Sequence, residues 1–287
     1  MKNYLGTILF VIILFSACQK EVSVEQGAVI EATQNLVDSN RLIKYVEFDT
    51  AQISGLDTLD IAKYNYDNLR RLTLLEYTEF EGAGVKINLY KTNLFYNGTD
   101  TLPFKRINSH YNLPALNLVR SDTNFYAYAN GRIVLDSNSY GFAKFQYTNN
   151  KILETTLQNL PGALINSNTY YMTRLNGNLV LQKDTISGGS VYQNFSFNYD
   201  NKKNPFYNLP ISSLEYLRPY YKLELYSEEM IFEKNNPIEI FQTSSTSTFH
   251  FKYSYEYNLN GYPKIARAVD QTDPTIYYKV KFFYTSL

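Results

Sequence analysis

The sequence predicts an all-β chain: an antiparallel meander of successive hairpins forming one large curved sheet, with very little helix. A β-sandwich or an open barrel are the other ways such a sheet could bury its apolar face. Three observations carry the prediction. The chain of 287 residues holds 28 Tyr and 18 Phe but no Trp, and Tyr, Phe, Thr, Val and Ile favour pleated, half-buried strands. Several segments alternate apolar and polar residues with period two. Asn-Gly pairs punctuate them, and Asn-Gly best accommodates the positive φ that a type I′ hairpin turn needs at both central residues.

The first residues read as an address. Lys2 gives a positive start, Leu5 to Phe15 form an uncharged, mostly apolar run, and small Ser16-Ala17 precede Cys18. That is the layout of a secretory signal peptide, in a run too short and too one-sidedly flanked for a spanning helix. Phe15-Ser16-Ala17-Cys18 resembles a bacterial lipobox, with Phe15 where leucine is usual. The resemblance implies that residues 1–17 are removed as a lipoprotein signal peptide. It also implies that Cys18 is acylated, palmitate being the typical chain, and begins the mature protein. Cys18 is the only cysteine, so no intramolecular disulfide can form. Gln19 follows it, not the Asp associated with inner-membrane retention in some bacteria, which favours the outer membrane. Residues 18–42 are polar and weakly patterned, and read as a lipidated tether with one short helix over 32–37.

Residues 43–287 read as a β domain. In Phe249–Tyr257 the aromatics at 249, 251, 253, 255 and 257 point to the core, and His250, Lys252, Ser254 and Glu256 point away. Tyr278, Val280, Phe282 and Tyr284 repeat the pattern, as do Phe195, Phe197 and Tyr199. One apolar and one polar face suit an antiparallel sheet. Asn-Gly stands at 97–98, 130–131, 176–177 and 260–261, with weaker turn signals at Asn149-Asn150, Asp200-Asn201 and Asn235-Asn236. Ser187 to Ser190 reads as a hairpin loop, and residues 208–217, ending before Pro219, as one short helix or 3₁₀ turn.

A degenerate repeat joins strand and turn. Tyr64-Asn-Tyr66-Asp67-Asn-Leu-Arg70-Arg71-Leu72 is its fullest copy. Tyr126 to Ile133, Phe145 to Ile152, Phe197 to Pro205 and Tyr255 to Ile265 are further copies, the fourth diverted by its proline. Each has aromatic-x-aromatic and a polar turn; all but the fourth continue with a basic and then an aliphatic residue. The pattern resembles the YD repeat of RHS-type proteins, with Arg70 where that repeat carries glycine. Together with the lipobox and the Tyr199–Phe206 element it is similar to uncharacterised envelope lipoproteins of Bacteroidota. The resemblance implies hairpin architecture and says little of activity. The irregular spacing of the units argues against a strict solenoid.

Catalysis has little to work with. His110 lies in an expected loop, Asn108 to Pro114, and His250 on the polar face of an aromatic strand; neither belongs to a metal motif, and both read as ordinary exposed or half-exposed residues. No nucleophile elbow or Gly-rich phosphate loop is present. Glu76, Glu79 and Glu81, and Glu228-Glu229, read as solvated strand edges. No catalytic residue, metal or cofactor is therefore assigned. Basic and acidic residues balance at 27 each, which leaves no basic field for nucleic acid. Thr50, Thr58, Thr101 and Thr185 each follow Asp and precede Ala, Leu, Leu and Ile. Those triplets resemble the O-glycosylation acceptor of exported Bacteroidota proteins, and a sugar there requires a surface site. Asn97-Gly-Thr99 and Asn194-Phe-Ser196 fit the N-glycosylation triplet but carry no expectation in a bacterial lipoprotein.

The reading is a membrane-anchored, non-enzymatic envelope lipoprotein that binds or supports a protein or glycan partner. An envelope carbohydrate-active hydrolase using carboxylates, and a carrier of an apolar ligand, are the alternatives.

Overall fold

The computed structural model describes residues 41–49, 57–81, 84–160, 163–186, 191–207, 209, 233–244, 247–275 and 277–285. Every element among them is a strand: β1 (Leu42–Asp49), β2 (Asp57–Tyr66), β3 (Leu72–Glu81), β4 (Val85–Phe95), β5 (Lys105–Asn112), β6 (Asn117–Ala129), β7 (Arg132–Asn138), β8 (Gly141–Thr148), β9 (Lys151–Leu160), β10 (Ala163–Leu175), β11 (Asn178–Ile186), β12 (Val191–Lys203), β13 (Asn235–Ser244), β14 (Thr248–Tyr257), β15 (Pro263–Asp270) and β16 (Tyr277–Tyr284). Each pairs antiparallel with its chain neighbours. The meander then closes, because β1 pairs with β16 from Leu42↔Tyr284 to Asp49↔Tyr278. The expected curved sheet is thus a closed barrel of 16 strands, and closure removes both edges on which sheets aggregate.

Two turns form as their sequence dictates. Asn130-Gly131 (φ 52° and 71°) and Asn176-Gly177 (φ 54° and 84°) make two-residue loops between Ala129↔Arg132 and Leu175↔Asn178. Asn149 (φ 52°) opens a third between Thr148↔Lys151. Gly98 and Gly261 have positive φ but belong to longer loops. Two weaker signals are corrected. Asp200-Asn201 lies within β12 and Asn235-Asn236 opens β13, so neither is a turn. Asn fits their irregular pairing, since register shifts fall between Tyr199 and Lys203. Residues 187–190 join β11 to β12 and lie outside the described residues. So do residues 1–40, with the expected helix at 32–37, and nearly all of the expected helix at 208–217.

Alternation turns one face of every strand inward, and the inward residues change character along the barrel. At the end where β1 begins and β16 finishes they are aromatic or aliphatic: Tyr45, Tyr64, Leu75, Phe145, Phe197 and Phe282 all belong to one buried cluster. The β12–β13 connection contributes to the same cluster. Phe206, 1% exposed, packs edge-on to Tyr45 (6.2 Å) and Phe282 (6.0 Å) and against Tyr64. Asn204 fixes that entry by accepting the Phe206 amide at 2.9 Å. Burying two apolar side chains of this connection, Phe206 and Leu209, stabilises the closed end by roughly 3–6 kcal/mol.

The same end is latched by tyrosine. Every even-numbered strand except β10 carries a Tyr at or near its last residue, and its hydroxyl donates to a carbonyl at the start of the preceding odd strand. Tyr66 reaches Leu42 (2.8 Å), Tyr96 Leu72 (2.7 Å), Tyr128 Pro103 (2.6 Å) and Tyr147 Ile133 (2.8 Å). Tyr199 reaches Leu179 (2.6 Å), Tyr255 Pro237 (2.5 Å) and Tyr284 Pro263 (2.7 Å). Basic residues stack on latch rings: Arg41 over Tyr66 (5.2 Å) and, from the repeat, Arg71 over Tyr96 (4.5 Å) and Arg132 over Tyr147 (5.2 Å). A buried Tyr hydroxyl needs such a partner. Burial pushes the Tyr66, Tyr96, Tyr128 and Tyr199 hydroxyls upward, so they remain donors at ordinary pH.

The aromatic-x-aromatic of the repeat is therefore a core residue followed by a latch in the copies ending at Tyr66, Tyr128, Tyr147 and Tyr199. In the fifth copy the first aromatic, Tyr255, is the latch, and Tyr257 bonds Asp200 instead. The turn after Tyr66 is tied by Asp67, which accepts the Arg71 amide and Nε, both at 2.8 Å. Arg70 takes φ +66° there, a left-handed conformation that glycine adopts at least cost. Gly141 has a different constraint. A Cβ on it would lie 2.0 Å from the Leu157 carbonyl oxygen, so only glycine lets β8 start against β9.

One expectation about the core is corrected. Phe249 shares the phase of Tyr253, which is buried, but is itself 41% exposed. It stands at the far rim of its strand, beyond the closed end.

The outer face mixes apolar rings with lysine. Lys44 lies 4.4 Å from the Phe283 ring centre, Lys105 4.2 Å from Phe95, Lys144 5.2 Å from Phe142 and Lys281 5.2 Å from Phe48. The lysine ammonium groups thus sit over outward rings in cation–π contact.

Phe206→Ala is expected to lower unfolding stability by about 3–5 kcal/mol, against less than about 1 kcal/mol for outward Phe283→Ala, in paired urea titrations. Arg70→Gly is expected to raise stability by about 0.5–1 kcal/mol in the same assay, since it relieves the left-handed backbone.

Candidate functional site

Toward the opposite end the inward positions become polar. On β1, Tyr45 gives way to Glu47; on β2, Tyr64 and Ala62 to Asp60; on β3, Leu75 and Tyr77 to Glu79. The change continues on β5, β6 and β9 with Asn108, Asp122, Asn124 and Glu154, and on β11 and β15 with Gln182, Asp184 and Asp270. The barrel therefore has an aromatic, filled end and an end lined by carboxylates, amides and guanidinium groups.

Glu47, Asp60 and Glu79 stand in register on three adjacent strands. Tyr77 lies among them and bonds Asp60; burial first, then these carboxylates, push its hydroxyl far upward. Glu79 accepts from Asn88 Nδ2 (2.7 Å) and the Tyr90 hydroxyl (3.3 Å). Asn88 Oδ1 then faces His110 Nε2 at 3.0 Å. Because the Asn88 amide is oriented by Glu79, its oxygen accepts and His110 Nε2 donates. His110 stacks on Tyr90, with ring centres 4.4 Å apart and planes at 12°.

Next to this pair, Arg120 Nε binds Asp122 Oδ2 at 2.7 Å, the arginine half-exposed and the aspartate buried. Thr92 Oγ1 donates to Asn108 Oδ1 at 2.9 Å. Asn108 Nδ2 and Arg106 Nε, both buried, have no hydrogen-bond partner among the described residues. Tyr90, Asn108, His110, Arg120 and Asp122 enclose a cavity of about 200 Å³. Farther along, Asn124 Nδ2 donates to Asp136 at 2.7 Å. Burial raises the Asp136 carboxyl above its ordinary value, partly offset by Arg106 and by that bond.

The residues singled out in the sequence are distributed unevenly. His110 lies on β5, not in a loop, because Lys105–Asn112 pairs along its length with β4 and β6. His250 faces outward, 2.8 Å from Glu239, whose carboxyl it holds below the usual range together with Asn198. Glu76 faces outward against Lys91 at 2.9 Å, and Glu81 is exposed. Glu79 corrects the solvated-edge reading, since it turns inward. Thr101 is exposed in the β4–β5 loop and Thr58 is half-buried on β2. Thr185 is 8% exposed and donates to the Thr169 carbonyl at 3.1 Å, so its hydroxyl lacks the surface position that a sugar requires. Cys18, Thr50, Glu228 and Glu229 lie outside the described residues. Asn108, Arg120 and Asp122 were missed; their signal was the run Arg120-Ser-Asp122-Thr-Asn124, polar at every inward position.

The fold and its interior define a closed antiparallel barrel whose inward residues are mostly apolar toward one end and mostly polar toward the other. No family model and no curated protein matches the chain. Among solved structures, a porin-like protein from Bacteroides vulgatus ATCC 8482 has 13% identity and a TM-score of 0.44, over 86% of this chain and 100% of that one. A porin-like protein from Bacteroides uniformis ATCC 8492 has 13% identity and a TM-score of 0.35, over 86% of this chain and 97% of that one.

Folded Asp136 keeps its proton to higher pH than an ordinary Asp (3.8), so between those two values the native state binds more protons than the unfolded state. Stability falls as pH rises through that window, and the loss is complete above it. Asp136→Asn is expected to raise the thermal midpoint near neutral pH, with the gain vanishing below about pH 4, in pH-resolved melting curves.

Proposed function

We propose that this protein is a lipid-anchored barrel of the bacterial outer membrane that acts as a non-enzymatic binding module, receiving a hydrophilic ligand at its polar end. The observation that carries the reading is the reversal of interior chemistry. Inward residues at the Leu42 end are mostly aromatic or aliphatic, with Asn178, Asn236 and Glu233 among them, and those toward the other end are mostly polar. Filling of the aromatic end by Phe206 and its neighbours weighs against a carrier of apolar ligands. The carboxylates Glu47, Asp60 and Glu79 stand side by side on one wall. A glycosidase pair must instead flank the bond it cleaves, which weighs against a hydrolase.

Anchoring through Cys18 fits the outer face. Among the described residues no helix is long and apolar enough to cross a membrane, which leaves the strands to consider. Lys63, Glu76 and Lys91 are registered neighbours on the outside of β2, β3 and β4. Lys252, Arg267, Lys279 and Lys281 face outward on β14 to β16. A single Lys or Arg at the midplane of a bilayer costs a lipid-facing strand about 2–4 kcal/mol. Several together favour water around the barrel and a lipid chain as its hold on the membrane.

Intact-mass analysis of protein extracted from membranes is expected to find a chain starting at Cys18 and carrying acyl and diacylglyceryl mass. With residues 1–18 replaced by an ordinary cleavable secretory signal, the barrel is expected in the soluble fraction without detergent. An unmodified Cys18, or a barrel that stays in the membrane without its lipid, contradicts the reading.

A further inference from the structure

We propose that the cavity bounded by Tyr90, Asn108, His110, Arg120 and Asp122 binds a single neutral sugar ring. The inference rests on the reading of the polar end as a ligand-receiving end and names the class of ligand. At about 200 Å³ the cavity is smaller than the roughly 300 Å³ at which pockets for drug-sized ligands begin. One saccharide ring, free or at the end of a glycan, is the scale it takes.

The lining decides the chemistry. Asn108 is 3% exposed; its Oδ1 is held by Thr92, while its Nδ2 has no hydrogen-bond partner among the described residues. Leaving a buried amide donor unmet costs about 1–3 kcal/mol, so a ligand that accepts from it gains affinity. The Asp122 carboxylate offers an acceptor, and His110, whose Nε2 is engaged by Asn88, offers its other ring nitrogen. The half-exposed Arg120 guanidinium supplies further donors. The lining thus offers both donors and acceptors, as a hydroxyl requires, since it both gives and takes. The stacked rings of Tyr90 and His110 provide one flat wall.

Charge excludes the other small ligands. Arg120 and Asp122 neutralise each other at 2.7 Å. An anion reaching Asn108 would meet the Asp122 carboxylate, and Glu79 stands behind Tyr90. A cation would have to displace Arg120 from Asp122. A neutral polyhydroxylated ring meets neither penalty.

The test titrates the mature, full-length lipoprotein in detergent with glucose, galactose, mannose, fucose and N-acetylglucosamine, by calorimetry and ligand-observed NMR. Oligosaccharides ending in the same sugars form a second arm, and acetate and phosphate a third. At least one neutral sugar is expected to bind, with affinity falling about tenfold or more in Asn108→Leu and in Asp122→Asn. Tyr171→Ala, on the outer face, is expected to change nothing. If Asp122→Asn does not fold, Asn108→Leu alone decides; it keeps the side chain's size and removes the unmet donor. Equal affinity for sugar and oligosaccharide identifies a free sugar, and tighter oligosaccharide binding identifies a glycan end; either supports the proposal. No binding across the neutral panel, binding untouched by both variants, or preference for acetate or phosphate overturns it. The mass of Cys18 on the same sample reports separately on the anchored-barrel reading, so the two can fail independently.

Discussion

The tyrosine-to-carbonyl latch is the interaction on which the rest of the structure depends. A closed sheet of this size has a wide interior, and side chains alone fill it poorly. Latches from Tyr66 on β2 to Tyr284 on β16 tie the end of each hairpin's second strand to the start of its first. Each is worth about 0.5–1.5 kcal/mol net, and an arginine over the ring adds about 0.5–1 kcal/mol. Summed around the barrel, that approaches the roughly 5–15 kcal/mol by which whole domains are stable. The latches also aim the rings inward, which gives Phe206 a surface to pack on. β10 departs from the rule in an instructive way. It carries Met172 and Arg174 in the inward positions, and Arg174 pairs with buried Glu233 from the β12–β13 connection at 2.7 Å. Where the tyrosine is missing, the plug segment supplies the tie.

Closing one end frees the other. With the aromatic cluster and its plug supplying the core, the far half of the barrel can bury carboxylates, amides and guanidinium groups and leave some of them unmet. Such groups are costly in a core that has to carry stability. The raised carboxyl of Asp136 and the unmet amide of Asn108 are two local expressions of that division.

Much of the fold was legible in the sequence, because period-two alternation and turn chemistry are local. β14, β16 and the centre of β12 were visible as alternating aromatics, and the loops at Asn130-Gly131 and Asn176-Gly177 as two-residue turns. Closure was not legible, since the pairing of Leu42 with Tyr284 joins the two ends of the barrel and leaves no local mark. The repeat was visible, but its meaning lay in a hydroxyl reaching back across a hairpin. For the same reason Tyr96 and Tyr284 escaped as members, although Leu94-x-Tyr96 and Phe282-x-Tyr284 carry the same spacing. The candidate site was the least legible part. Glu79, Asn108 and Asp122 are ordinary polar residues in strands; the phase of Leu75-x-Tyr77-x-Glu79 turns Glu79 inward, and the run Asp122-x-Asn124-x-Tyr126 does the same for Asp122. Sequence alternation separates two faces; it does not say that the inner face changes from apolar to polar halfway along.

Amide hydrogen exchange on the folded protein, resolved by residue, tests the division of the barrel most directly. The account predicts the slowest exchange in the strand halves at the latched end, around Leu42, Leu72, Ile133 and Leu179. Faster exchange is predicted in the far halves of the same strands, near Glu47, Glu79 and Asp184. Uniform protection along the strands, or slower exchange at the polar end, would contradict it.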